Sequence, residues 1–146
     1  MKLIPYLMFF NGDCSAAFDF YAQALGGTII ARVAYGDLPA NPDQPPMSDE
    51  AKAQLAHVNL VVGGASIMGG DSIMGVCGNE QIDGRNDTTV NIDVDTVEEA
   101  ERVFAALSAG GTVRMPLMET EWSQRFAMFD DHYGKPWMIN CNKPMA

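Results

Sequence analysis

Residues 18–28 read FDFYAQALGGT and residues 102–112 read RVFAALSAGGT, so the chain repeats one helical run that closes on Gly-Gly-Thr. A repeat of this kind indicates the fold, because each copy is one supersecondary unit. Thr96 and Glu99 have the spacing of a capping box before the second run. Both runs end at glycine, which readily takes the left-handed conformation that terminates a helix. We therefore predict two helices of about three turns each, at equivalent places in two halves.

Extended segments surround both helical runs in the same order. Strand-like residues 4–10 precede the first run, and residues 89–94, with alternating apolar and polar side chains, precede the second. Further strands follow the runs at residues 28–35, 57–62 and 66–70 in the first half and at residues 112–117, 126–129 and 137–140 in the second. Each half is thus predicted to be a βαβββ module.

Two segments interrupt this symmetry. Residues 36–54 contain four prolines, and residues 71–87 are rich in Gly, Asn and Asp. We predict exposed loops for both, with a lid or a dimer contact as the alternative. The length of 146 residues fits a single domain, with module 1 at about residues 1–71, a linker at about 72–87 and module 2 at about 88–143.

Composition excludes several partners and compartments. A formal charge of −10 repels nucleic acid and anionic lipid, so no nucleic-acid partner is expected. No apolar run is long enough to cross a bilayer, so no membrane partner is expected either. The three cysteines are widely spaced and include no CxxC pair, which argues against a disulfide framework or a zinc site. We expect a cytoplasmic protein.

Several motifs together carry a family resemblance. They are Phe20-Tyr21 with Leu25-Gly26, Pro5-Tyr6-Leu7, Ala56-His57-Val58-Asn59, Glu119-Thr120-x-Trp122, and Gly134-Lys135-Pro136-Trp137-Met138-Ile139-Asn140. The chain resembles the vicinal-oxygen-chelate superfamily (glyoxalase, bleomycin resistance and dioxygenase proteins), in its PhnB-like branch, also labelled demethylubiquinone-methyltransferase-like. This resemblance implies an α+β fold of tandem βαβββ modules that form a curved mixed sheet with a cleft. It also implies a homodimer and a small-molecule ligand.

Three functions remain open, because one fold supports many reactions. The first is a PhnB-like protein that binds a small metabolite in its cleft and whose specific reaction is unassigned. The second is a metal-dependent lyase, isomerase or dioxygenase. The third is a non-catalytic protein that sequesters a small molecule such as a drug. The residues are therefore compatible with an enzyme and with a binding protein.

The expected metal positions carry poor ligands. In metal-dependent members of the superfamily, His, Gln or Glu from the first and last strand of each module bind the ion. Here those positions fall near Pro5 or Tyr6, Met68, Thr88 or Thr89, and Met138. None suits a hard divalent cation. We therefore expect no metal and no other cofactor, although Asp71 or Glu119 could serve a displaced metal site.

His57 is the leading catalytic candidate in the first half. It shares a strand face with Asn59, and an imidazole there can act as general acid or base. Asp71, predicted as the second catalytic residue, or Tyr6 would orient it. Tyr6 and Asn59 are predicted to bind the ligand. A structural histidine at a strand end is an equally weighted alternative.

The second half supplies further candidates for ligand binding. Glu119 is predicted to accept a hydrogen bond from the ligand, and Trp122 to stack on it. A solvated edge and ordinary packing are the alternatives, and packing is the prediction for Trp137. Three arginines could anchor an anionic group of the ligand, and they are Arg32, Arg114 and Arg125. The alternative is that they are ordinary surface residues.

Overall fold

The structure is a computed structural model that describes residues 1–72 and 88–144. The chain divides into two compact units, the first within Met1–Asp83 and the second within Gly84–Ala146. Each unit contains one four-stranded sheet and one helix of 12 residues. The expected linker at residues 72–87 lies outside the described residues except for Ser72, and so does Cys77.

The first unit forms a mixed sheet. Its elements are β1 (Tyr6–Phe9), α1 (Cys14–Leu25), β2 (Thr28–Ala34), a 3₁₀ turn (Tyr35–Asp37), α2 (Asp49–Ala53), β3 (Leu55–Val62) and β4 (Ala65–Asp71). The strand order is β1-β4-β3-β2. Strands β1 and β4 are parallel, and the other neighbouring strands are antiparallel.

The second unit repeats this arrangement. Its elements are β5 (Val90–Asp93), α3 (Val97–Ser108), β6 (Thr112–Met118), β7 (Ser123–Asp130) and β8 (Pro136–Asn142). The order β5-β8-β7-β6 contains the same single parallel pair, β5 with β8. The predicted α+β fold class, with two βαβββ modules, is therefore confirmed.

Helix ends follow the sequence signals, with one correction. Helix α1 ends at Gly26, which has a φ of 69°. Before α3, the Thr96 hydroxyl accepts a hydrogen bond of 3.1 Å from the Glu99 N–H. The residue that caps the end of α3 is Ala109 rather than a glycine, and Gly110 takes the positive φ one residue later. None of the helices in the described ranges is long and apolar enough to span a membrane.

The second glycine of each Gly-Gly-Thr motif allows the chain to approach the neighbouring strand closely. A Cβ on Gly27 would lie 2.7 Å from the Val61 carbonyl oxygen of β3. A Cβ on Gly111 would overlap the Asp130 carbonyl oxygen of β7. The repeated motif is thus a packing requirement, since it brings the strand after each helix against the equivalent strand of its sheet.

The proline-rich insertion contains more regular structure than predicted. Besides the 3₁₀ turn it forms α2, a short helix with no buried residue. Ser48 caps α2, because its hydroxyl accepts a 3.1 Å hydrogen bond from the Ala51 N–H. The prediction of a loop throughout residues 36–54 was therefore wrong for this turn and helix.

Helix α1 covers one face of the first sheet. Phe18 and Tyr21 of α1 and Val58 and Leu60 of β3 are fully buried. A Cβ on Gly69 of β4 would collide with the Phe18 ring, which places Gly69 on the same face. Side chains alternate along a strand, so the neighbours of these strand residues point away from α1. We call that side the helix-free face of the first sheet.

Helix α3 covers one face of the second sheet in the same way. Val103 and Leu107 are buried, and the Phe104 ring meets the Phe129 ring of β7 edge-on at a centroid distance of 5.5 Å. Phe129 pairs in register with Trp137 of β8, and both are 1% exposed. The residues that alternate with them form the helix-free face of the second sheet.

Candidate functional site

Tyr6 and His57 form a pair on the helix-free face of the first sheet. The Tyr6 hydroxyl lies 3.5 Å from His57 Nδ1 and 3.3 Å from the Ala56 carbonyl oxygen. The two rings stack with centroids 5.9 Å apart. A Cβ on Gly70 would be 2.9 Å from the Tyr6 hydroxyl. The missing side chain at Gly70 therefore lets Tyr6 reach from β1 across β4 to β3.

This pair combines a phenol with an imidazole that solvent can reach. Tyr6 is 45% exposed and His57 is half-buried. The Tyr6 hydroxyl can donate to Ala56 or to an unprotonated Nδ1, and it can accept from a protonated Nδ1. An imidazole held in this way can bind a polar group or move a proton. Of the two residues expected to orient His57, Tyr6 is therefore in place.

Asn59 lies two residues beyond His57 on the same face. The fully buried Val58 and Leu60 occupy the opposite face, as the sequence alternation predicts. The Asn59 Oδ1 atom is buried and has no hydrogen-bond partner within residues 1–72 and 88–144. Buried polar atoms nearly always have a partner in folded proteins. The Asn59 oxygen is therefore an acceptor without a partner, and it is shielded from solvent in this conformation.

Asp71 lies on the other side of the sheet. Its Oδ1 accepts a 3.0 Å hydrogen bond from the Cys14 N–H, and its Oδ2 accepts one of 2.9 Å from the Leu55 N–H. The side chain is 1% exposed. The expectation that Asp71 orients His57 is corrected by this placement, because Asp71 is on the face that α1 covers. This geometry favours a structural role, and catalysis by Asp71 stays a prediction.

The helix-free face of the second sheet is rich in methionine. Met115 of β6, Met128 of β7 and Met138 of β8 are neighbours in register, and all three are half-buried. Phe126 lies on the same face and is 8% exposed. Flexible thioethers adapt to the shape of what they contact. This face therefore suits the apolar part of a small molecule.

Glu119 and Trp122 lie between β6 and β7 and differ in their contacts. The Lys143 ammonium is 2.7 Å from the Glu119 carboxylate, and this pairing lowers the pKa of Glu119. Trp122 is 57% exposed, and its ring meets Phe126 edge-on at 5.7 Å. Trp122 is thus placed beside the methionine-rich face, whereas Glu119 is already ion-paired. Ligand binding by either residue stays a prediction.

A polar group on the second sheet was not predicted from the sequence. The Asn140 amide nitrogen donates to Asp93 Oδ1 at 3.3 Å and to Asn142 Oδ1 at 2.8 Å, and Asn91 also donates to Asp93 at 2.8 Å. The Asn140 Oδ1 atom is buried and unpaired in the described part of the chain. The alternation of Asn91 and Asp93 with apolar residues in β5 was the available signal. Grouping Asn140 with them required the register of β5 and β8.

The three arginines considered as anion anchors are already ion-paired. Arg32 pairs with Asp19 at 2.5 Å. The remaining pairs are Arg114 with Asp130 at 2.5 Å and Arg125 with Glu101 at 3.9 Å. Hydrogen bonding to Asp130 also raises the pKa of Arg114. These pairs favour the alternative of ordinary surface positions.

The prediction of a packing role for Trp137 is confirmed. Its side chain is 1% exposed. The indole nitrogen donates a 2.8 Å hydrogen bond to Asp131 Oδ2. Two backbone N–H groups, of Tyr133 and Lys135, donate to the other oxygen of Asp131. Trp137 and Asp131 therefore hold the turn between β7 and β8 and are not free to contact a ligand.

The strand positions expected to hold a metal carry weak donors. The register pairs Tyr6 with Met68 in the first unit and Asn91 with Met138 in the second, so Asn91 stands where a threonine was expected. Phenol, amide and thioether groups do not form the imidazole and carboxylate set that divalent cations prefer. No group of three His, Cys, Asp or Glu side chains in the described ranges could hold a metal ion. The side chains at these four positions therefore do not match the ligands that bind the metal in metal-dependent members of the superfamily.

Comparison with known proteins gives one consistent match. The family model of the Glyoxalase/Bleomycin resistance protein/Dioxygenase superfamily matches residues 3–139. Protein YjdN of Escherichia coli is 32% identical over 98% of this chain and 97% of its own length. The solved structure of PA1353 from Pseudomonas aeruginosa is 38% identical, with a TM-score of 0.83 and coverage of 99% of both chains. A PhnB protein from Bacillus cereus, 22% identical, matches in fold with a TM-score of 0.74 over 97% of this chain and 99% of its own.

Proposed function

Because the chain belongs to the Glyoxalase/Bleomycin resistance protein/Dioxygenase superfamily, we propose that it binds a small, partly apolar metabolite. Tyr6, His57 and Asn59 hold the polar part of this ligand in the proposal. The observation that carries it is the Tyr6 hydroxyl 3.5 Å from His57 Nδ1, on the sheet face that α1 does not cover. The resemblance to a PhnB fold is compatible with this proposal but names no ligand.

Each group of the proposed site has a distinct part in binding. The His57 imidazole can donate or accept, depending on its protonation. The buried Asn59 Oδ1 has no hydrogen-bond partner among the described residues, and in the proposal it accepts one from the ligand. The exposed Tyr6 ring offers an apolar surface beside these polar atoms. A ligand with one polar end and a flat or apolar body fits this combination.

The test is a thermal-shift screen of small metabolites on the chelator-treated full chain, since a ligand that binds the native state stabilises it. Compounds that stabilise the chain are then measured by calorimetry on variants. His57→Gln and Asn59→Leu are expected to weaken binding by about tenfold, the effect of one lost hydrogen bond. His132→Gln is the matched control, because His132 is exposed in the β7–β8 turn. Equal loss in the control and in His57→Gln would contradict the proposed site.

Proton transfer by His57 is a second candidate function. The specific observation in its favour is the Tyr6 hydroxyl, which contacts the ring nitrogen and can hold the imidazole orientation. An enzyme of this type loses turnover in His57→Gln while a bound ligand analogue keeps most of its affinity. A sequestering protein instead shows no turnover in wild type and loses only affinity.

We propose that the chain works without the divalent metal of its metal-dependent relatives. The carboxylates of both residues expected to bind a displaced metal already have partners within the chain. Asp71 accepts from two backbone amides, and Glu119 pairs with Lys143. Elemental analysis of the purified tag-free chain is expected to find no stoichiometric divalent metal. One equivalent of metal per chain, with metal-dependent ligand binding, would contradict this proposal and favour the metal-dependent enzyme.

A homodimer is proposed as the assembly. Ile30 on β2 is 62% exposed and Val113 on β6 is 46% exposed. Both strands lie at the edge of their sheets. Unpaired edge strands with apolar side chains are surfaces that another chain can cover. A second copy of this chain is the proposed partner.

A further inference from the structure

We propose that the second unit holds a subsite for a protonated amine attached to an apolar body, and that Asn140 Oδ1 accepts a hydrogen bond from that amine. The inference rests on the proposed function, because it names the chemical class of the small molecule. It uses different residues from the Tyr6 and His57 pair. Experiments can therefore reject the Asn140 subsite and the Tyr6–His57 site independently.

The first observation is the unpaired acceptor itself. Within residues 1–72 and 88–144, two buried side-chain N or O atoms have no hydrogen-bond partner, and they are Asn59 Oδ1 and Asn140 Oδ1. Both lie on a helix-free face, one in each unit. Both are oxygens, which accept and cannot donate. Each oxygen therefore lacks an N–H or O–H donor, and a bound molecule supplies one after a neighbouring side chain moves aside to uncover the oxygen.

The orientation of the Asn140 amide is determined by its neighbours. Its nitrogen lies 3.3 Å from Asp93 Oδ1 and 2.8 Å from Asn142 Oδ1. A carboxylate only accepts hydrogen bonds, so the donating end of the amide must face Asp93. The oxygen is thereby turned away from Asp93 and Asn142. The unpaired acceptor follows from these contacts.

The charges nearby favour a cation. The Asp93 carboxylate has no salt bridge to a Lys or Arg of the described residues, and it lies next to the Asn140 amide. All four arginines in the described ranges are paired with carboxylates, and these pairs are Arg32–Asp19, Arg102–Glu99, Arg114–Asp130 and Arg125–Glu101. An anionic ligand would meet an uncompensated carboxylate here without an arginine to bind it. A protonated amine both donates the missing hydrogen bond and is attracted by Asp93.

The surroundings of Asn140 accept an apolar body. Phe126 lies directly opposite Asn140 in the register of β7 and β8, and Met138 lies two residues away on the same face. The exposed Trp122 ring contacts Phe126. Aromatic faces also attract ammonium groups. A phenyl ring on a short chain that ends in an amine therefore matches this surface.

The experiment compares three probes with the same phenylethyl body. They are 2-phenylethylamine, 2-phenylethanol and 3-phenylpropionate, which carry an ammonium, a hydroxyl and a carboxylate. Nitrogen-labelled full chain is titrated with each probe and followed by NMR. The indole signal of Trp122 is expected to shift saturably with the amine, less with the alcohol and not with the acid. The buried Trp137 indole, bonded to Asp131, serves as the internal control.

Two variants test the role of the Asn140 oxygen. Asn140→Leu removes the acceptor and is expected to weaken amine binding about tenfold, as for one charge-assisted hydrogen bond. Asn140→Asp keeps an acceptor and adds negative charge, so amine binding is expected to be kept or strengthened. Gln23→Leu, at an exposed position of α1, is the matched amide-to-leucine control and is expected to bind like wild type. Melting curves show whether each variant is folded.

Several outcomes would overturn the inference. They are equal binding of the acid and the amine, unchanged amine binding in folded Asn140→Leu, and no saturable binding of the amine at millimolar concentration. A metabolite from the screen that depends on His57 but not on Asn140 would keep the proposed function and reject this subsite. Amine binding that depends on Asn140, found together with screen metabolites that bind His57→Gln as tightly as wild type, would keep this subsite and reject the proposed function.

Discussion

Asp71 connects three elements of the first unit. Its carboxylate accepts from Cys14 in α1 and Leu55 in β3, and its carbonyl oxygen accepts a 2.6 Å hydrogen bond from the Tyr35 hydroxyl. Asp71→Asn replaces one acceptor with a donor that faces a backbone N–H. We expect the free energy of unfolding to fall by about 2–4 kcal/mol. Urea denaturation followed by circular dichroism measures this change.

The control for this prediction is Asp43→Asn, since Asp43 is exposed in the proline-rich insertion. We expect its free energy of unfolding to stay within about 0.5 kcal/mol of wild type. If Asp71→Asn is equally stable but loses ligand turnover, the structural account of Asp71 is wrong and the catalytic prediction is correct.

The Glu119–Lys143 ion pair predicts a specific pH dependence. The Lys143 ammonium lowers the pKa of Glu119 in the folded state. A lowered folded-state pKa gives stability that is present above the unfolded pKa and is lost as pH falls through the folded pKa. Lys143→Met is therefore expected to raise the pKa of Glu119 toward its usual range. NMR titration of the glutamate carboxyl carbons measures it, with Lys52→Met as control. An unchanged pKa in Lys143→Met would show that the pair does not form in solution.

At the scale of residues, the sequence predicted which strand face a side chain occupies better than it predicted its partner. Alternation alone placed His57 and Asn59 together, because β3 pairs regularly with β4 there. It did not place Asp71, whose two acceptors bond to residues 57 and 16 positions away along the chain. It also missed Asn140, since its contact with Asp93 depends on a parallel pairing between distant strands.

The junction after each long helix makes the clearest prediction at the scale of elements. Gly111→Ala would place a methyl group against the Asp130 carbonyl oxygen of β7. We expect a loss of roughly 2–4 kcal/mol in the free energy of unfolding, because backbone rather than a flexible side chain must move. Gly64→Ala, where a Cβ meets nothing within 4 Å, is the matched control and is expected to be nearly neutral. Equal stability of the two variants in denaturant would contradict this account of the Gly-Gly-Thr motif.

Elements with a strong periodic pattern were predictable, and the short insertion helix was not. Helices α1 and α3 each bury an apolar side against a sheet, so their sequences carry that period. Helix α2 spans five residues and buries none, and the Ser48 cap stabilises its first turn. A serine before acidic residues is too common a pattern to predict a helix without an apolar face.

The assembly prediction concerns the whole molecule. If the exposed edge positions on β2 and β6 are covered by a second copy, charged residues there will oppose association. Ile30→Lys together with Val113→Lys is expected to shift the chain from dimer to monomer at micromolar concentration. Light scattering after size-exclusion chromatography measures the mass. The control is Gln23→Lys on α1. A wild-type monomer, or a dimer unchanged by both edge substitutions, would contradict this proposal.

At the scale of the molecule, the repeat was enough to predict the fold. Residues 18–28 and 102–112 recur because both units need a helix, a glycine junction and a strand in the same order. The reaction did not follow, because function depends on a few polar atoms whose partners the repeat does not specify. The Tyr6–His57 contact needs Gly70 between them, and that geometry became visible in the structure alone.

Tyr6 and His57 are proposed to hold a small ligand without a metal. The most direct measurement is NMR of the two histidine rings in the metal-free chain during titration with a metabolite from the thermal-shift screen. We predict that the His57 ring signals shift saturably, that those of His132 do not, and that Tyr6→Phe weakens the binding. A metabolite that binds without shifting the His57 signals, or only after a divalent metal is added, would contradict the claim.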